Sequence, residues 1–355
     1  MTYTARAAIV ESAGSPPVVA KIELPELERD EVLVRIAAAG ICHTDLSCAA
    51  GLLGATFPII LGHEGAGTIE AVGPNAERFK PGDRVVISVA HHCGHCKYCE
   101  AGCPPLCLER GLSRPVYFRD GQSIPQAFAT GTFSEATIVR ERSLVLVPDG
   151  VPLEVAAVTG CAAVTGLGSV LNIAHVTVGS SVAVIGCGGV GMCAVMGARL
   201  AGADRIVAVD PRAERREAAL QLGATDAAAP EADALMTIAG RGFDFVFEAA
   251  GRQDSIDLAI SVCGPLGEIV LMGLPPAETK VSIPALDLIN WGKRVTGVNM
   301  GSFRPNVDFD RYFRLFLNGR LPLDQLVSSR VPIAESAGGF ELARSGEGIR
   351  VMLVP

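Results

Sequence analysis

The stretch SSVAVIGCGGVGMCAVMGARLAGADRIVAVD, Ser180 to Asp210, constrains the fold more than any other part of the chain. Val182 to Ile185 is a short apolar run that reads as a buried strand. Gly186, Gly188 and Gly191 follow with the G-x-G-x-x-G spacing, and an apolar stretch to Leu200 reads as a helix. A second strand, Arg205 to Val209, ends at Asp210, about twenty residues past the last glycine. Gly186 permits the tight turn, Gly188 lets a pyrophosphate approach the backbone, and Gly191 lets the helix pack on the sheet. The helix N-terminus offers its N–H groups to the phosphates. A carboxylate at Asp210 accepts hydrogen bonds from both adenosine ribose hydroxyls and repels a 2′-phosphate, so the expected cofactor is NAD. Arg212, Arg215 and Arg216 leave NADP as the alternative, and Arg215 has a second reading as a bracket for the ribose. Further strands at FDFVFEAAG, GEIVLMGLPP and RVTGVNM alternate with amphipathic stretches. The fold class expected is α/β, with an open, doubly wound parallel sheet covered on both faces.

The segment from Ser180 to Ala198 is also long and uncharged enough to pass for a membrane span. Its glycines and the strand that follows argue instead for a buried strand, turn and helix, and no second such segment exists, so no membrane partner is expected. The formal charge of −8 argues against nucleic acid, which calls for a basic face.

CGHCKYCEAGCPPLC places five cysteines in fifteen residues, Cys93 to Cys107. The chain has eleven cysteines, an odd number, and MTYTARAAIV is not a secretory signal. Reduced thiols in the cytoplasm are therefore expected, and clustered thiols there hold a metal. Cys93, Cys96 and Cys99 are separated by two residues each, a gap that turns neighbouring thiolates toward one ion. With Cys107 they make a closed four-sulfur site, which suits a structural zinc. Cys103 is the spare and competes with Cys107 for the fourth place. His91, His92 and His95 lie nearby as solvated loop histidines or spare ligands.

A second constellation is dispersed. GICHTD places Cys42 after the strand-like EVLVRIAAAG; GHEGAG places His63 and Glu64 after PIILG; TGCAAVTGLG places Cys161 just ahead of an Ala-rich helix. Two thiolates and an imidazole make a three-ligand zinc site with an open position, the arrangement of a catalytic zinc. Glu64 is a fourth or alternating ligand, and Asp45 is placed to accept the other ring N–H of His63.

With these motifs in hand, the chain resembles the zinc-dependent, medium-chain alcohol dehydrogenases from about Ala7 to Pro355. The resemblance is carried by GICHTD, GHEGAGTIEAVG, the Cys93–Cys107 knuckle, TGCAAVTGLG, GCGGVG with Asp210, and RSGEGIRVML; GTFSEATIV is closer to the glutathione-dependent formaldehyde dehydrogenase branch. It implies a GroES-like β domain over 1–161 with a structural zinc lobe, an inserted Rossmann domain over 162–299, and a return to the first domain over 300–355. It implies two zinc ions per subunit: a catalytic one on Cys42, His63 and Cys161 with Glu64 alongside, and a structural one on Cys93, Cys96, Cys99 and Cys107. Thr44 would be the first proton acceptor. His43 and Arg350 would contact the pyrophosphate, Gly189 would belong to the phosphate turn, and Thr165 and Val190 would press the nicotinamide toward the substrate. The implied pocket comprises Leu53, Val89, Phe128, Leu274 and Asn299. The implied assembly is a homodimer or homotetramer formed near RVTGVNM.

Two departures matter. Ser47 stands where many members have a histidine that relays the proton, and serine does not titrate near neutral pH, so the route ends in water or runs through His43. The segment 108–129 is shorter than in the ethanol enzymes, and neither Arg110 nor Arg114 aligns with the basic residue that holds the glutathione carboxylate. Val89 stands where ethanol enzymes often carry an aromatic, so the resemblance implies a bulky aryl or allylic primary alcohol as the substrate and its aldehyde as the product. Alternatives are a dehydrogenase for a thiol adduct of formaldehyde, an enzyme that keeps NAD bound throughout, and a non-enzymatic zinc-knuckle protein.

Overall fold

The computed structural model describes residues 2–110 and 113–355. The chain forms two compact units, one of Met1–Cys161 with Arg304–Pro355, the other of Ala162–Phe303.

The first unit is built on β-structure. Its main sheet centres on the ten-residue strand Glu31–Gly40, an apolar run buried at nearly every position. Glu64–Val72 runs antiparallel along one side of it. The other side is shared: Ala136–Arg140 pairs its first half and Arg350–Val354 its last residues, both antiparallel. This arrangement positions the site. The end of Glu31–Gly40, the start of Glu64–Val72 and the start of Arg350–Val354 all lie at one end of the sheet. Residues as distant as 42, 63 and 350 therefore meet there without any long loop. A second sheet is formed by Tyr3–Val10, Val18–Leu24 and short strands beside them. The main core joins Val32, Val34, Ile36, Ile69, Val85, Ile87, Phe133 and Phe340, all buried.

The second unit is a six-stranded parallel sheet. Its order from edge to edge is Asp226–Ala228, Arg205–Val209, Ser181–Ile185, Phe243–Glu248, Cys263–Leu271 and Arg294–Gly297. Helices Gly189–Ala201, Ala213–Leu222, Ala232–Ala239 and Gln253–Val262 connect the strands in turn. Ser181–Ile185 is almost wholly buried, as a strand covered on both faces must be. The apolar segment that passes for a membrane span folds as this strand, a turn and the helix Gly189–Ala201, which stops at Gly202 in the left-handed conformation, φ 81°.

One local expectation is corrected. Cys161 does precede the helix Val164–Gly168, but it is itself helical, lying within a continuous run, Leu153–Ile173, in a π-helical turn, Thr159–Ala163. This run, too, is long and apolar enough to cross a membrane, which corrects the expectation that no second such segment exists, but 78% of its apolar stretch is buried inside the protein. A π-turn inserts one extra residue and re-aims the side chains around it, which is why such turns recur at functional sites.

Candidate active site

Asp45 organises the first cluster. Cys42 caps the helix His43–Ala49, and Asp45, in its first turn, turns back so that Oδ2 accepts the Cys42 backbone N–H at 3.0 Å. Oδ1 accepts the Gly62 N–H at 3.0 Å and faces His63 Nδ1 at 3.0 Å. One buried carboxylate thus fixes both chain segments that supply ligand atoms. With Nδ1–H donated to Asp45, His63 presents Nε2 as its free lone pair.

Ligand atoms of Cys42, His63, Glu64 and Cys161 lie within 4.8 Å of one another. Hydrogen bonding from Cys161, opposed by burial and aided by His63, pushes the Cys42 thiol well below its ordinary range. The same bond and burial push Cys161 well above its own. Burial disfavours charge on His63, but Asp45 and Cys42 outweigh it and raise its pKa. Burial pushes the Glu64 carboxyl up to about 7, against the pull of Arg350. Neither Glu64 oxygen has a hydrogen-bond partner among the described residues. Two sulfurs, one imidazole nitrogen and an unsatisfied carboxylate, crowded together and buried, fit a dication that displaces the thiol protons. The Thr44 hydroxyl stands 3.6 Å from Cys42 Sγ, and the next turn of the same helix brings Ser47 to the same face. His43 is exposed. Arg350 is buried beside the cluster: Nη1 donates to the Ile41 carbonyl at 2.8 Å and Nε lies 3.5 Å from Glu64 Oε2.

Among the pocket candidates, Leu53, Val89 and Phe128 belong to the first unit and Leu274 and Asn299 to the second. Phe128 is held at φ 55°, uncommon for a residue with a side chain, with its ring edge-on to His63 at 4.8 Å. Arg114 forms a two-pronged ion pair with Glu31, at 2.8 and 2.6 Å, and Arg110 Nη1 donates to the Pro105 carbonyl.

The knuckle places Cys93, Cys96, Cys99 and Cys107 in a second group. Its sulfurs stand 3.5 Å apart for Cys96–Cys99 and 4.0 Å apart for both Cys93–Cys99 and Cys96–Cys107. A tetrahedron with zinc–sulfur bonds of ordinary length has edges of about 3.8 Å. Backbone N–H groups of Cys93 and Glu109 point at Cys107 Sγ, and that of Cys96 at Cys93 Sγ, which suits thiolates. Cys103 is turned aside, its thiol toward the Ala101 carbonyl. Of the nearby histidines, His91 bonds Ser143, His92 bonds the Ala90 carbonyl, and His95 pairs with Glu109 while sharing a third group of ligand atoms with Cys93.

In the second unit, Gly186 has φ +92°, and a β-carbon on Gly191 would overlap the Gly186 carbonyl oxygen. The turn is closed by Asp210, whose Oδ2 accepts the Cys187 N–H at 2.9 Å and whose Oδ1 accepts the Arg212 N–H at 3.0 Å. Arg215 Nη1 is 3.8 Å from Asp210 and Arg216 Nη1 donates to the Asp210 carbonyl. Gly188 caps the helix Gly189–Ala201, which begins with Gly189, Val190 and Gly191; Thr165 lies in the helix Val164–Gly168.

Residues 28–149 match the model of the alcohol dehydrogenase GroES-like domain, and residues 189–318 match that of the zinc-binding dehydrogenases. The chain is 37% identical to the NDMA-dependent alcohol dehydrogenase of Amycolatopsis methanolica, over 98% of each chain. The chain belongs to the zinc-dependent medium-chain alcohol dehydrogenase family. It is also 35% identical to the geraniol dehydrogenase of Castellaniella defragrans, over 99% of this chain and 98% of that one. The benzyl alcohol dehydrogenase structure from Acinetobacter calcoaceticus superposes with a TM-score of 0.93, at 32% identity and 99% coverage of both. This family member is thus an alcohol dehydrogenase built from a GroES-like and a Rossmann-type unit.

Three features of the site escape the sequence reading: the Glu64–Arg350 contact, the edge-on Phe128 and the two backbone bonds of Asp45. Each depends on strand register or a turn conformation that spacing alone does not encode.

Proposed function

We propose that this alcohol dehydrogenase oxidises a bulky primary alcohol, aryl or allylic, with NAD+, giving the aldehyde, NADH and a proton, and that each subunit holds two zinc ions. The observation that carries the reading is the convergence of Cys42, His63, Glu64 and Cys161 beside the Thr44 hydroxyl. When bound, zinc supplies a Lewis acid that eases ionisation of the alcohol, and NAD+ supplies the hydride acceptor.

Cys42, His63 and Cys161 hold the catalytic ion, with Glu64 as the fourth or alternating ligand. Asp45 keeps the His63 tautomer and ring orientation. Thr44 Oγ1 takes the alcohol's proton and releases its own toward solvent, with exposed His43 as the exit group in place of a titrating residue at Ser47. In the Rossmann-type unit Asp210 and Arg215 take the adenosine ribose and the turn from Gly186 to Gly191 takes the pyrophosphate; in the GroES-like unit His43 and Arg350 are cationic candidates for phosphate. Thr165 and Val190 support the nicotinamide. Cys93, Cys96, Cys99 and Cys107 hold the structural ion, which requires a reducing compartment such as the cytoplasm.

A small Val89 leaves room that a ring there would fill, and the names of the geraniol and benzyl alcohol dehydrogenases point the same way. Leu53 and Phe128 of the GroES-like unit complete this part of the proposed pocket. A second reading, favoured by the likeness to the NDMA-dependent enzyme, is that NAD stays bound and is recycled by an external acceptor. The engagement of Arg114 by Glu31 speaks against a thiol-adduct substrate.

The assembly proposed is a homodimer, or a homotetramer made from it, through the Arg294–Gly297 edge of the parallel sheet. The test is a panel of alcohols with NAD+, NADP+ and NDMA, with and without added thiols. kcat/KM for benzyl alcohol or geraniol should exceed that for ethanol; the reverse order refutes the substrate class. Nucleotide that copurifies and cannot be dialysed away would establish the second reading.

A further inference from the structure

The last residue of the strand Glu31–Gly40 is flanked on both sides: Gly40 faces Glu64 across one ladder and Met352 across the other. Directly opposed residues share a face of the sheet, and Arg350, two positions before Met352, shares it too. Glu64 and Arg350 therefore stand on strands two apart, about 9–10 Å between axes. Their side chains still meet above the middle strand, with Arg350 Nε 3.5 Å from Glu64 Oε2. They meet there because residue 40 has no side chain. A β-carbon on Gly40 would overlap Glu64 Oε2 and stand 3.2 Å from its Cδ and 3.3 Å from its Cβ. The backbone does not call for glycine here, since Gly40 is not among the residues with positive φ. What the glycine supplies is space.

We propose that Gly40 is a positioning residue: the notch above it berths the Glu64 carboxylate against Arg350, and so sets how strongly that carboxylate competes with substrate for the metal. The proposal rests on the zinc reading of Cys42, His63 and Cys161. A Glu64 oxygen already lies within 4.8 Å of their ligand atoms, and no hydrogen bond among the described residues ties either oxygen down. The carboxylate is restrained by the notch and by Arg350. A methyl group at position 40 fills the notch, blocks the line to Arg350, and turns the carboxylate toward the cation. Glu64 then occupies the place that an alcohol needs.

The test uses the protein with cobalt(II) in place of zinc, because cobalt's visible bands move when one ligand of a four-coordinate site is exchanged for another. Gly40→Ala should shift the bands, as the Glu64 carboxylate takes the fourth place, and lower azide affinity at the metal by roughly 10-fold. In a Glu64→Ala background the same substitution should change neither, since the clash is gone. An unaltered spectrum and azide affinity in Gly40→Ala, or equal changes in both backgrounds, would overturn the proposal. If Gly40→Ala does not fold but Gly40→Ala/Glu64→Ala does, the two side chains share one space, as proposed; if neither folds, the backbone requires the glycine and the proposal fails. Parent protein that takes up cobalt at the four-cysteine knuckle alone would sink the zinc reading and this inference together. Uptake at both sites with a parent-like Gly40→Ala spectrum sinks the berth by itself.

Discussion

Asp45 ties Cys42, Gly62 and His63 to one carboxylate, so its removal should act on the metal before it acts on the fold. Asp45→Asn keeps the size but puts an amide where two N–H donors and the imidazole expect an acceptor. Zinc affinity at the Cys42 cluster should fall about 10–100-fold, the range for groups that orient a histidine ligand. Competition against a chelator, with zinc counted by elemental analysis, measures it; parent-like affinity would mean that His63 is oriented by something else. Cys42→Ser should be harsher, with no turnover and one zinc left per subunit, while NADH binding, read from its fluorescence, survives. Full activity in that variant would remove Cys42 from the chemistry. At this scale much of the site is legible in the sequence, because GICHTD and GHEGAG carry rare residue types at the ends of readable strands. The Arg350 contact is not legible: Arg350 is 286 positions from Glu64 by their numbers, and only strand register brings the two together.

The strand–turn–helix from Ser181 to Ala201 is the element most fully dictated by its own residues. An apolar strand, three spaced glycines and a small-residue helix leave one way to close the turn, and the structure adds that Asp210 ties it from the next strand through the Cys187 N–H. Asp210→Ala removes this tie along with the proposed ribose acceptor. kcat/KM with NAD+ should drop by roughly 10-fold or more, the cost of charge-assisted hydrogen bonds lost from a bound ligand, and the ratio of NAD+ to NADP+ turnover should narrow. An unchanged ratio would show that the arginines, not the carboxylate, select the cofactor. The helix carrying Cys161 behaves differently. Its sequence is apolar or small from Val155 to Gly168, with only Thr159 and Thr165 bearing hydroxyls, so periodicity does not reveal where it starts or that it contains a π-turn. Packing chooses there: the extra residue at Thr159–Ala163 is a tertiary decision, invisible to local propensity. The knuckle lies between these cases, since the spacing selects Cys93, Cys96 and Cys99, and the fold then selects Cys107 over Cys103 by turning the latter toward the Ala101 carbonyl.

At the scale of the whole molecule, the parallel sheet ends in a strand, Arg294–Gly297, whose outer edge has no partner among the described residues. Such an edge is a template for another strand unless something covers it. Close to it in sequence, the helix Ala285–Trp291 leaves Leu286 65%, Ile289 77% and Trp291 46% exposed. That concentration of apolar surface beside an open edge favours an isologous dimer in which two edges pair about a twofold axis. Trp291 is the chain's single tryptophan, so its emission reports on this surface without interference. The proposed dimer should give blue-shifted emission that moves to the red on dilution, in step with the loss of dimer mass by light scattering. Ile289→Lys places a charge in the middle of the contact and should give a monomer with red-shifted emission at every concentration. Because this helix and strand belong to the Ala162–Phe303 unit, zinc content at the Cys42 and Cys93 clusters should stay at the parent level in that variant. A dimer that persists in Ile289→Lys with unchanged emission would place the subunit contact on another surface.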